Sequence, residues 1–356
     1  MKIFFTLFFF SYSLLLSQID LNDNIRPIRD SIGFCWSASE MDLFIDFLSK
    51  QNPQFEDDSK NIFAAISVHD DYLYAGNVYY PLYKNIRAKE VVIFGVTHGT
   101  VTKQMGPQSN VVILDSFQRW RGPYKEVEIS PLREFIKSNL PQEYFTVSNQ
   151  AHAIEHSIEA VIPFLQYYNR NIKITPIMVT RMPLERMEEL STRLSKIIVD
   201  YAKTNRMKLG EDIFFLISND ANHYGEDFKN SVYGLDSTAH FIATENDKKI
   251  IQKNLTGLIT DIKIYETAND LIADYTNKAV PLWCGRYPIV MGLLTISKIV
   301  DGFEDYNFYG KLFKYSDTFT EKVLPVKNTS MGLTAVFSYK HWCGWFTEGF
   351  YLTKKN

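Results

Sequence analysis

Four apolar runs, each giving way to polar residues, constrain this chain more than any other feature. Residues 62–68 end at His69, and residues 91–96 end just before His98. Residues 173–179 form a third run, and residues 213–217 lead into Ser218, Asn219 and Asp220. A run that is apolar without alternation suits a strand buried on both faces. Between the runs lie helical patterns. Leu190, Leu194, Ile197, Ile198 and Tyr201 share one face. Ile158, Val161, Ile162 and Leu165 share another, with Ser157 placed as its cap. Pro288 is set to open a helix carrying Ile289, Leu293, Ile296 and Val300. Strands alternating with helices predict an α/β chain, an αβα sandwich around a mainly parallel central sheet. Residues 308–315 and 331–339 read as added strands, so a mixed sheet is expected.

No repeat, low-complexity tract or Gly/Ser linker interrupts residues 25–350, and one domain is expected over residues 26–345. The chain is 46% hydrophobic and 15% aromatic, enough for a large core. Its formal net charge of -3 argues against a nucleic-acid binder, which carries a basic surplus. No nucleotide cofactor is indicated. The first residues differ from the rest: Met1 and Lys2 precede a greasy stretch to Leu16, and Ser17 closes it. This is the pattern of a signal peptide over residues 1–17, with an uncleaved anchor as the alternative. The expected location is therefore outside the cytoplasm, periplasmic or secreted, with no membrane association after cleavage. Cys35, Cys284 and Cys343 would then allow one disulfide and one free thiol, with Cys284 expected to stay free.

Histidine is scarce, with seven in the chain, yet His69, His98 and His223 all follow strand ends. In open α/β sheets ligands bind outside the carboxyl ends of strands, so three such histidines point to one site. Asp220, three residues before His223, can ligate a metal, orient an imidazole, act as a base, or simply cap its turn. Glu155, His156 and Glu159 form a second cluster. Acidic residues at a helix start are favoured whatever the function, which gives Glu155 an ordinary structural reading beside the functional one. Cys284 precedes Gly285, Arg286 and a helix start, a setting that lowers a thiol's pKa, unless the residue is simply buried and inert.

Taken in order, these segments resemble the MEMO family. The resemblance rests on Ser67-Val68-His69-Asp70-Asp71-Tyr72, Gly95-Val96-Thr97-His98, Glu155-His156-Ser157-Ile158-Glu159, Ser218-Asn219-Asp220-Ala221-Asn222-His223, and Cys284-Gly285-Arg286-Tyr287-Pro288. It implies a fold similar to class III extradiol dioxygenases, which are non-haem iron enzymes. By motif, His69 and His98 would be two metal ligands and Cys284 would stand in place of a carboxylate ligand. His223 would match the acid/base histidine, with Asp220 beside it, while Glu155, His156, Glu159, Arg286 and Asp71 would line the site. The resemblance implies iron or copper, with zinc as a further option, and redox chemistry. Bacterial and archaeal members are often labelled protein B of the AmmeMemoRadiSam system, an association that export would separate from radical-SAM partners.

The chain departs from the pattern at three places. Asp70 and Asp71 stand where the family has Ala-Gly, Gly99 follows His98 where the family often has a second histidine, and Cys35-Trp36 replaces a Trp-Tyr pair. Two functions from different classes follow: a metal-dependent redox protein, or a binding module that keeps the fold and holds a small molecule or peptide without turnover. Asp71 beside the first ligand favours the module. A zinc-hydrolase reading, with zinc on His69, His98 and Cys284, is a third.

Overall fold

The structure is a computed structural model that describes residues 24–54, 62–272, 281–303 and 306–355. The expected signal peptide lies outside the described residues.

The principal elements are α1 (Ala38–Gln51), β1 (Ile62–Ser67), α2 (Tyr72–Tyr83), β2 (Glu90–Val96), β3 (Lys173–Val179), α3 (Leu184–Thr204), β4 (Ile213–Ser218), α4 (Arg286–Gly302), β5 (Tyr306–Asp317) and β6 (Trp342–Lys354). All four apolar runs are strands. In the centre of the sheet they lie in the order β3-β2-β4-β1, each pair parallel. β6 then pairs antiparallel with β1, and β5 antiparallel with β6. The sheet is mixed, as expected.

Side chains alternate across the sheet and feed two cores. Ala65, Val91, Ile93, Phe214 and Leu216 pack on the side of α1 and α2. Ala64, Ile66, Val92, Phe94, Phe215 and Ile217 pack on the side of α3 and α4. The result is a single-domain αβα sandwich. Pro288 lies in the first turn of α4, as its restricted φ allows, and Ile289, Leu293, Ile296 and Val300 are buried on that helix.

Three expectations are corrected. Residues 331–339 form no strand. Phe337 anchors the segment against Tyr74 and Trp345, Val336 is exposed, and the backbone N–H of Thr334 donates to Asp71 at 2.6 Å. The last strand is instead β6, which carries the sheet to Lys354. Ser157 caps no helix: its hydroxyl accepts from the Val96 N–H and donates to the Val96 carbonyl, stitching it to β2. A short 3-10 turn over Glu159–Val161 follows, and the α-helix starts only at Ile162, next to Pro163. No disulfide forms, because Cys35, Cys284 and Cys343 all carry free thiols. Burial pushes the Cys35 thiol up to about 12.

Candidate metal centre

The carboxyl ends of β1, β2 and β4 deliver the candidate residues to one place, as the strand-end rule requires. His69 leaves β1 two residues past Ser67, and its ring is buried. The last residue of β4 fixes how that ring is used. The Ser218 hydroxyl donates its only proton to the Ser157 carbonyl at 2.7 Å. Toward His69 Nδ1, 2.8 Å away, the Ser218 hydroxyl can therefore only accept. Nδ1 carries the ring proton, and Nε2 presents a lone pair.

His69 belongs to two groups of donors. In one, the ligating atoms of His69, His98 and His156 lie within 4.8 Å of one another; in the other, those of His69, Asp220 and Cys284 do. His69 Nε2 is 3.3 Å from Cys284 Sγ and 3.4 Å from Asp220 Oδ2. The His98 and His156 rings stack at 4.7 Å, nearly parallel. The sequence set of His69, His98 and Cys284 is thus divided: His98 and Cys284 fall in different groups, joined through His69.

The outer partners are as specific as the donors. Glu155 accepts from His98 Nδ1 at 2.8 Å and from the backbone N–H groups of His98, His156 and Ser157. Nδ1 of His98 is thereby the donor, and its Nε2 stays open. Burial alone would raise the Glu155 carboxyl, but His98, His156 and these N–H bonds hold it well below the usual carboxylate range. Because such a carboxylate orients its histidine, Glu155→Gln is expected to weaken metal affinity by about 10- to 100-fold, read by competition with a chromogenic chelator.

Burial, with the neighbouring imidazoles, pushes His69 well below its ordinary value and His156 to about 4. Both are unprotonated acceptors at neutral pH. Burial, reinforced by the charge of Asp70, pushes Asp220 up, and burial with the charge of Asp220 does the same to Cys284. The Cys284 direction reverses the lowered thiol expected from its place before a helix. Its sulfur sits among carboxyl groups, and burial outweighs the helix end and the Asp220 N–H that donates to it at 3.1 Å. The thiol reaches His69 because Gly285 presses close to β4. A Cβ there would stand 2.7 Å from the Ser218 carbonyl oxygen and 2.6 Å from Asn219.

His223 lines the same cavity but joins neither donor group. Its Nδ1 donates to the Ala221 carbonyl at 3.3 Å, leaving Nε2 as an acceptor, and burial pushes it to about 4. Asp220 points at His69, whose backbone N–H it accepts at 2.8 Å. Arg286 and Asp71 line the cavity. The Asp71 carboxylate, however, is engaged by Thr334, and Asp70 accepts from the Trp345 indole at 2.9 Å. Neither belongs to a donor group. Glu159 is corrected from site-lining to structural. Buried behind the site, it pairs with Arg26 and accepts the backbone N–H groups of Arg29 and Asp30.

Sequence reading missed Ser218, Arg29 and Arg181. The strand-end rule applied to β3 leads to Arg181, two residues past Val179.

Known proteins are similar to large parts of this chain. A "MEMO1 family protein" of Aquifex aeolicus is 29% identical over 252 residues, which cover 67% of this chain and 86% of the relative. One from Sulfurisphaera tokodaii is 32% identical over 181 residues, covering 49% of this chain and 57% of the relative. The profile of the family described as "Memo-like protein" matches residues 37–323, a span that contains every donor from His69 to Cys284. This chain belongs to the Memo-like family.

Proposed function

We propose that the chain holds a redox-active transition metal, iron or copper, on a centre that turns on His69, and uses it on a small molecule in the adjoining cavity. The observation that carries this reading is the convergence of two donor groups on one residue, His69, whose ring Ser218 orients. The donors suit such an ion: imidazoles serve iron, copper and zinc, and a thiolate favours softer metals. Unprotonated imidazoles are ready to accept a cation, while Asp220 and Cys284, held neutral by burial, each give up a proton to do so. When bound, such an ion supplies one-electron chemistry at the cavity wall.

The chain's own residues do the rest. Ser218 and Glu155 orient the two imidazoles. His223 Nε2 is the acceptor for a proton leaving a bound molecule, and Asp220 fixes the backbone of His69 beside it. The argument for a binding module was the pair of acids beside His69. Thr334 and Trp345 engage them, so they do not compete for the centre. The greasy stretch of the first 17 residues supports a place outside the cytoplasm, to be checked by N-terminal sequencing of the mature chain.

Elemental analysis of the mature protein, purified without added metal, is expected to find about one equivalent of iron or copper. Oxygen uptake with catechol-type substrates after anaerobic iron loading separates turnover from binding. A metal-free chain that cannot be loaded sinks the proposal.

Calorimetry also tells the donor groups apart. At pH 7 the imidazoles of His69 and His156 have no extra proton to lose, because their pKa values are lowered. Cys284 has its proton, because its pKa is raised. Titration of metal in two buffers of different ionisation enthalpy is expected to show proton release where the thiolate ligates. Cys284→Ser is expected to diminish that release.

A further inference from the structure

The cavity beside the centre has a volume of about 630 Å³, within the range of sites for small organic molecules. Its walls carry both signs of charge, but the two are not equally available. Asp30 accepts the backbone N–H groups of Ile32 and Gly33, both at 2.8 Å. Asp70 is engaged by Trp345, Asp71 by Thr334, and Asp220 by the N–H of His69. The fixed positive charges are guanidinium groups.

Arg29 and Arg181 line the cavity from opposite stretches of sequence, and Arg286 joins them at the start of α4. Arg29 is set in place rather than left to wander. Its backbone N–H is held by the buried Glu159, and its Nε donates to the Ile154 carbonyl at 3.3 Å. Arg181 emerges where β3 ends, the position on that strand equivalent to those from which β1 and β2 send out their histidines. Both residues are exposed enough to meet an incoming molecule. Phe34, Phe228, Phe337 and Pro288 supply apolar surface around them.

We infer that the cavity selects small organic anions, molecules with a flat apolar body and a carboxylate or phosphate group that settles on Arg29 and Arg181. Planar guanidinium groups are matched to both headgroups, and rings of this kind pack against a flat body. The inference rests on the metal reading only in taking this cavity as the place where the ligand sits. The whole net charge of -3 would by itself repel such a ligand, so the local arrangement of arginines decides.

The test is calorimetric titration of the full mature chain, both chelator-treated and iron-loaded, with benzoate, phenyl phosphate and benzyl alcohol. The two anions are expected to bind at least about tenfold more tightly than the neutral alcohol. Arg29→Gln and Arg181→Gln are each expected to weaken the anions by about tenfold while thermal unfolding stays in place. Whichever anion binds more tightly identifies the headgroup. Benzyl alcohol binding as tightly as benzoate, or a double variant that binds benzoate as well as its parent, overturns the inference. Anion selectivity in a chain that takes up no metal would sink the metal reading alone. Metal uptake with no preference for anions would sink this one alone.

Discussion

Alanine in place of His69 is expected to leave the purified chain with less than roughly a tenth of an equivalent of metal. His69 is the one donor common to both groups, so its loss breaks the imidazole group and the thiol group together. Variants at the other donors will behave differently. His156→Ala keeps His69, Asp220 and Cys284. Cys284→Ala keeps the three imidazoles, and its preference should move from copper(I) toward the harder iron(II). Elemental analysis after loading with an equimolar mixture of iron(II), copper and zinc reads all three variants. A His69→Ala chain that retains a full equivalent, with circular dichroism unchanged, would show that no centre turns on this residue.

Glu159→Ala is expected to cost about 3–5 kcal/mol of folding stability. Arg26 and Glu159 are almost wholly buried, and the carboxylate serves two backbone N–H groups besides the guanidinium. Removing it strands a charge that burial already disfavours, since the Arg26 pKa is lowered to about 9 against the pull of Glu155 and Asp115. Arg26 also donates to the carbonyls of His152 and Glu155 and lies 4.5 Å from the centre of the Trp120 ring. The damage should therefore reach the segment that carries Glu155. Urea unfolding measures the cost. A loss below about 1 kcal/mol, the value of an exposed pair, would mean that the site relaxes to admit water.

Most of the central sheet was legible because buried parallel strands are written as unbroken apolar runs. The strand ends were legible too, since His69, His98 and His223 each follow such a run. What stayed hidden depends on contacts between distant residues. Nothing local tells Glu159 from Glu155: one faces Arg26 and the other His98, and only the packed chain separates them. Ser157 looks like a helix cap by sequence, but a neighbouring strand claims its hydroxyl. The rise of the Cys284 pKa follows from burial, with the acids gathered around it, neither of which a helix-end rule can see. Strand β6 was missed because its run of aromatics and glycines alternates with neither period. Residues 331–339 imitate a strand because their apolar residues are spaced like one.

The placement of β6 also sets an order of events. It follows all the other named elements in sequence, yet it lies against β1, with Glu348 opposite Ile66. Trp345, which engages Asp70, and Cys343, on the cavity wall, both come from it. A ribosome must release residues 342–354 before the sheet can close and the cavity wall is complete. Pairings over such long separations fold slowly, which leaves a newly made chain open for a time. Closure of the cavity wall is therefore a late event, and a nascent chain stalled before residue 342 lacks Cys343 and Trp345.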